Sequence, residues 1–173
     1  RNARPIVSTC SSMMSICIFT TGGTFDKVYF DAKSDYQIGE PMVGEILQEA
    51  GVLEPCRVES ILKKDSLELT NEDRALICQS VAKAPEQRIL IIHGTDTMPQ
   101  TAEALRVISG KTIVLTGAMS PARFRRSDAT FNTGFAMGAL QALPNGVYIA
   151  MNGRVFEAGK VRKNLQLGCF EAV

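Results

Sequence analysis

The sequence predicts an α/β fold, a mainly parallel sheet flanked by helices on both faces. Three observations carry this expectation. Short runs such as residues 15–21 (SICIFTT) and Arg88–Ile92 (RILII) are continuously apolar, as strands covered on both faces are. They alternate with segments of helical spacing. Glycine, hydroxyl and carboxylate side chains follow the strands, where the loops of an open parallel sheet converge.

Taken in order, residues 15–21 stop at Gly22-Gly23, so the first strand ends in a tight turn. A polar loop is expected to about Gly39. Pro41 sits where a first-turn proline is tolerated, and Val43, Ile46, Leu47 and Ala50 recur at helical spacing before Gly51 closes the first helix. Residues 57–62 read as the second strand. Thr70 caps a helix over residues 72–84, and Asn71-Glu72-Asp73 place negative charge at its positive end. Arg88–Ile92 is the third strand, followed by His93-Gly94-Thr95-Asp96-Thr97 and a helix to about Ser109. Residues 111–116 make a fourth strand, residues 128–143 a helix and Gly146–Met151 a fifth strand. The tail over residues 154–173 is less periodic and reads as a short extra strand plus loop.

The 173 residues suit one domain, with a core that buries roughly two-thirds of the unfolded surface. Residues 15–173 are assigned to that domain, and the polar, aperiodic residues 1–14 to a disordered tail or tag. Nineteen basic against eighteen acidic side chains leave a formal charge of +1, too little to attract a polyanion over distance. Nucleic acid is not an expected partner. The local cluster Arg123, Arg125 and Arg126 reads as a solvated loop. Five scattered cysteines, without CxxC spacing, fit reduced thiols of a cytoplasmic protein better than a disulfide framework or a zinc site. No run approaches the roughly 20 apolar residues that span a bilayer, and no secretory signal follows Arg1 and Arg4.

The strand ends carry Thr20-Thr21-Gly22-Gly23-Thr24, Asp65-Ser66, Gly94-Thr95-Asp96-Thr97 and Gly117-Ala118. Each has a plain explanation: a Gly-Gly turn, or a threonine or aspartate capping the next helix. Four such ends together point to a small polar ligand. TTGGT lacks the Gly-Lys-Ser/Thr of a phosphate-cradling loop and the G-x-G-x-x-G of a dinucleotide fold. The sole histidine, His93, has no second histidine for a metal and no Gly-x-Ser-x-Gly elbow nearby. A hydrolase built on this chain has to activate a hydroxyl with another base, such as a lysine.

The segments TTGGTF (20–25), HGTDTM (93–98) and VLTGAM (114–119) resemble the bacterial-type L-asparaginase family. The similarity extends from about Ser15 to at least Lys163. Two separated signatures in the right order, each behind an expected strand, make it specific. The resemblance implies the sheet layers of that family's N-terminal domain, Rossmann- or flavodoxin-like, in a short single-domain form. It also implies hydrolysis of L-asparagine to L-aspartate and ammonia through an acyl-enzyme, with no metal or organic cofactor. A homo-oligomer, dimer or tetramer, is expected by the same analogy.

Residue by residue, the resemblance makes Thr24 the nucleophile, assisted by Tyr36 on a mobile loop. Thr95 and Asp96 form a proton-handling group with a downstream lysine, for which Lys163 is the best match and Lys160 the competitor. Substrate-binding positions are Gly23, Ser66, Leu67, Thr95, Asp96 and Ala118: Ser66 for the α-carboxylate, Asp96 for the ammonium, Gly23 and Thr95 as backbone donors to the oxyanion, and the Ala118 carbonyl against the amide.

Leu67 stands where many larger relatives have a glutamine, and those relatives add an acidic side chain from a second domain. Weaker substrate binding and little activity on glutamine are therefore expected. Two other functions compete: an ammonia-releasing component of transfer-RNA-dependent amidation, and a non-catalytic amino-acid-binding module.

Overall fold

The computed structural model describes residues 15–30 and 35–173; the tail assigned to residues 1–14 lies outside them, as does Cys10. Six segments form the central sheet: β1 (Ile16–Thr20), β4 (Cys56–Ser60), β5 (Arg88–Ile92), β6 (Thr112–Thr116), β7 (Gly146–Met151) and β8 (Arg154–Glu157). Their order is β4-β1-β5-β6-β7-β8. The first five are parallel, and β8 returns antiparallel to β7. Counting the parallel strands along the chain gives 2-1-3-4-5, the flavodoxin-like order, whose direction of winding reverses between β1 and β5.

Alternation along the strands separates two cores. Cys17, Phe19, Ile89, Ile91, Ile113, Leu115 and Ile149 face one side. There they meet Ile77 and Val81 of α2 (Asn71–Lys83) and Met98, Ala102 and Leu105 of α3 (Met98–Leu105). Ile16, Ile18, Leu90, Ile92, Val114 and Ala150 face the other. They pack on Val43, Ile46 and Leu47 of α1 (Val43–Glu49) and on Ala136, Met137 and Leu140 of α4 (Ala129–Ala142). Successive strand residues point to opposite faces, so a continuous apolar run supplies both cores. The expected fold class is therefore found, with helices on both sides.

Thr70 caps α2 in a reciprocal capping box: its hydroxyl accepts the Asp73 amide at 3.2 Å and the Asp73 carboxylate accepts the Thr70 amide at 2.9 Å.

Three expectations are corrected. The segment after Gly23 is not simply a polar loop. It contains a 3₁₀ turn (Thr24–Asp26) and an antiparallel ribbon of β2 (Lys27–Phe30) and β3 (Asp35–Ile38). The tail holds three strands rather than one, because β8 is followed by a second ribbon of β9 (Val161–Asn164) and β10 (Cys169–Ala172). Val161 and Phe170, 7% and 2% exposed, seat that ribbon in the core shared with α2 and α3. The helix expected to reach Ser109 ends at Leu105.

Candidate active site

At the carboxyl ends of β4, β1 and β5 the three loops touch through backbone. Gly23 has φ +84°, and a Cβ placed on it would lie 2.6 Å from the Gly94 Cα. A Cβ on Gly94 would lie 2.6 Å from the Ser66 Cβ and 2.7 Å from its Oγ. Only glycine permits both the left-handed backbone and this approach. Further bonds stitch the loops together: the Thr21 amide donates to the Ile92 carbonyl at 3.0 Å, and the Lys64 amide to the Thr21 carbonyl at 3.0 Å. Thr24, next after Gly23, opens the 3₁₀ turn on this edge and is half-buried.

Thr95 is 5% exposed. The Lys163 Nζ donates to the Thr95 Oγ1 at 2.8 Å and to the Asp96 Oδ1 at 2.5 Å. Lys163 reaches in from β9, where it pairs in register with the buried Phe170. The competing Lys160 is exposed and ion-paired to Glu157. None of the hydroxyls after β5 caps α3: Thr97 occupies the cap position without a side-chain cap bond. Its hydroxyl instead donates to the Ser66 carbonyl at 2.7 Å. Ser66 is 1% exposed, and its Oγ finds no hydrogen-bond partner among the described residues.

The remaining expected positions divide. Ala118 is buried at 1% exposure, behind β6 on the same edge. Leu67 is 72% exposed, its amide held by the Asp65 carboxylate at 3.2 Å. Tyr36 lies on β3 rather than in an irregular loop. Its ring, 45% exposed, makes edge contacts with Tyr29 at 5.4 Å and Phe124 at 6.0 Å. Arg123, Arg125 and Arg126 are exposed, as a solvated loop requires.

His93 has a structural setting. It is fully buried, with Nδ1 2.6 Å from the Gly94 carbonyl and Nε2 2.8 Å from the Thr101 Oγ1. Burial pushes its pKa down to about 4, against the effect of the Gly94 carbonyl. Among the described residues no group of His, Cys, Asp or Glu is placed to hold a metal ion.

Two organising carboxylates, Asp128 and Asp26, escaped the sequence reading, and a third, Asp65, was read there without its partner. Asp128 accepts the Met119 and Ser120 amides at 3.0 and 3.1 Å, fixing the loop that contains Ala118. In the sequence it read only as the first residue of a helix. Asp26, 2% exposed, accepts the Met42 amide at 2.8 Å, while its carbonyl accepts the Gly39 amide. It thereby closes the base of the β2–β3 ribbon, and burial pushes its carboxyl up to about 6. Asp65 is ion-paired to Lys27 at 2.9 Å.

Residues 15–172 match the model of the family described as "Asparaginase, N-terminal". The chain belongs to the asparaginase family. It is 30% identical over 172 residues to the L-asparaginase of Thermococcus kodakarensis, covering 92% of this chain and 51% of that protein. The solved structure of the thermostable L-asparaginase from that organism superposes with a TM-score of 0.77 at 29% identity, over 92% of this chain and 51% of the other. L-asparaginase I from Vibrio cholerae gives a TM-score of 0.81 at 26% identity, over the same shares. A further relative is a glutamyl-tRNA(Gln) amidotransferase component of Methanococcus maripaludis, 32% identical over 171 residues, 87% of this chain and 40% of that one. The chain thus spans about half the length of the relatives it matches. No helix among the described residues is long and apolar enough to cross a membrane.

Proposed function

We propose that the protein hydrolyses the side-chain amide of L-asparagine to L-aspartate and ammonia. The observation that carries the reading is the contact of Lys163 with both Thr95 and Asp96, on the edge where Gly23, the residue before Thr24, lies against Gly94. A threonine hydroxyl is a weak nucleophile until a neighbour accepts its proton. The Thr95–Lys163–Asp96 group is the proton acceptor in this scheme, and Thr24 attacks the amide carbon. Backbone amides at Gly23 and Thr95 stabilise the oxyanion. Ammonia leaves, and water cleaves the Thr24 ester to release aspartate. Asp96 also binds the substrate ammonium, Ser66 the α-carboxylate through its unpartnered hydroxyl, and Ala118 the amide through its carbonyl. Leu67 and Tyr36 border the substrate, Tyr36 assisting Thr24. The protein is placed in the cytoplasm, where the four described free thiols stay reduced, and works as a homo-oligomer without a cofactor.

Ammonia release from asparagine tests this, with Thr24→Ala beside the unmutated protein. The unmutated protein is expected to release ammonia, only slowly from glutamine, and the variant to be inactive. Equal rates would remove Thr24 from the mechanism. The similarity to an amidotransferase component supports a second reading, in which ammonia is passed to a synthetic partner. Turnover of free asparagine without transfer RNA or ATP separates the two.

A further inference from the structure

A free α-amino acid brings one ammonium and one carboxylate, and a site selective for it has to answer both charges. On the edge described above, Asp96 is one anionic group and Lys163 its cationic partner. A second pair stands beside Ser66. The Lys27 Nζ lies 2.9 Å from the Asp65 Oδ2, with the side chains 26% and 30% exposed. Burial alone would raise the Asp65 pKa. The Lys27 hydrogen bond, the Leu67 amide and the charges of Lys27 and Lys163 together lower it instead. Two carboxylates and two ammoniums therefore share the edge, a balance that suits a zwitterion.

The two pairs are not equally committed. Lys163 is spent on Thr95 and Asp96. Lys27 has three N–H donors, and one Asp65 oxygen occupies one of them. Other cations near this edge are held elsewhere: Lys64 bonds both oxygens of Asp73, and Lys63 bonds Glu40. Asp65, in turn, is the residue before Ser66, whose buried hydroxyl lacks a partner among the described residues. Lys27 is also the first residue after the turn that begins with Thr24.

We infer that Lys27 is a substrate-binding residue whose ammonium, with the Ser66 hydroxyl, receives the α-carboxylate of the amino acid. The inference rests on the amino-acid reading of this edge and makes its anion recognition a feature of β2. Asp65 holds the ammonium in place through an ion pair that survives binding, so the lysine does not need to reorganise.

The test is calorimetric titration of the protein with L-aspartate, run on the unmutated chain and on Lys27→Met, Lys27→Gln and Lys27→Arg. It is paired with hydrolysis rates for L-asparagine and for β-alaninamide, which lacks the α-carboxylate. Both neutral variants are expected to bind aspartate about tenfold or more weakly, the loss of one charged hydrogen bond, and Lys27→Arg to keep most of the affinity. Asparagine kcat/KM should fall through KM while β-alaninamide is unaffected. Unchanged aspartate affinity in the neutral variants overturns the inference, as does an equal loss on both amides, which would confine Lys27 to anchoring Asp65. Failure of the unmutated protein to bind aspartate at all also overturns it. Lys27-dependent aspartate binding without amide turnover would leave the inference standing and discard the hydrolysis.

Discussion

Lys163 reaches Thr95 across 68 positions of sequence, with Nζ 2.8 Å from the threonine Oγ1 and the same nitrogen on Asp96. The bond joins a two-stranded ribbon near the end of the chain to the switch point of the parallel sheet. It turns two widely spaced motifs into one constellation.

Lys163→Met should leave the fold intact, because its hydrogen bonds go to Thr95 and Asp96 in the loop after β5 and methionine keeps the length of the side chain. Amide hydrolysis should fall by about 10²-fold or more, the usual contribution of a group positioned for proton transfer. Single-turnover rates measure this, and a variant with unimpaired turnover would transfer the role to another group.

Gly94→Ala tests the glycine contact. The added methyl would lie 2.6 Å from the Ser66 Cβ, so the loops after β4 and β5 have to separate. A cost of about 1–3 kcal/mol in unfolding free energy is expected, together with weaker aspartate binding. Urea denaturation and titration report the two effects. A variant as stable as its parent, with unchanged binding, would mean that the loops are not packed this tightly.

Asp26 and His93 set opposite pH dependences. The Asp26 carboxyl is raised from 3.8 to about 6, chiefly by burial and against the Met42 amide. The folded protein keeps a proton that the unfolded chain has lost. Its stability contribution is therefore present below about pH 4 and lost as pH rises through 6. His93 is lowered from 6.5 to about 4, so its contribution is complete above pH 6.5 and lost as pH falls through 4. Each shift corresponds to roughly 3 kcal/mol, and between pH 4 and 6 they largely cancel. Asp26→Asn should remove one arm, so that urea midpoints rise from pH 4 to 6.5 relative to the parent. Parallel profiles for the two proteins would contradict the burial of Asp26 as a titrating carboxyl.

The parts of the fold most legible in the sequence are the strands whose residues bury both faces and the helices with clear spacing, while the exposed β4 was also read, from its β-prone residues. RILII and TIVLT admit no other placement, and each was read close to its observed limits. The two ribbons were missed for a physical reason. In β9 only Val161 is buried, and Arg162, Lys163 and Asn164 look like loop; the strand is specified by cross-strand pairing with β10 rather than by hydrophobic pattern. The β2–β3 ribbon carries Val28, Tyr29, Tyr36 and Ile38, too short an apolar signal to stand out from the polar residues around it. At the site, Thr95, Asp96 and Lys163 came from family resemblance and meet in space. Lys27, Asp128 and Asp26 were invisible because their partners lie in other loops, Asp65 was seen only as a strand-end residue without its lysine, and these residue types are ordinary for turns.

The central sheet is complete at Glu157, while the lysine that engages Thr95 arrives only with β9. During synthesis the strands of the central sheet emerge before the ammonium that joins Thr95 to Asp96. Loss of the β9–β10 ribbon would take Lys163 away from Thr95 and Asp96 and at the same time uncover the core that Val161 and Phe170 close.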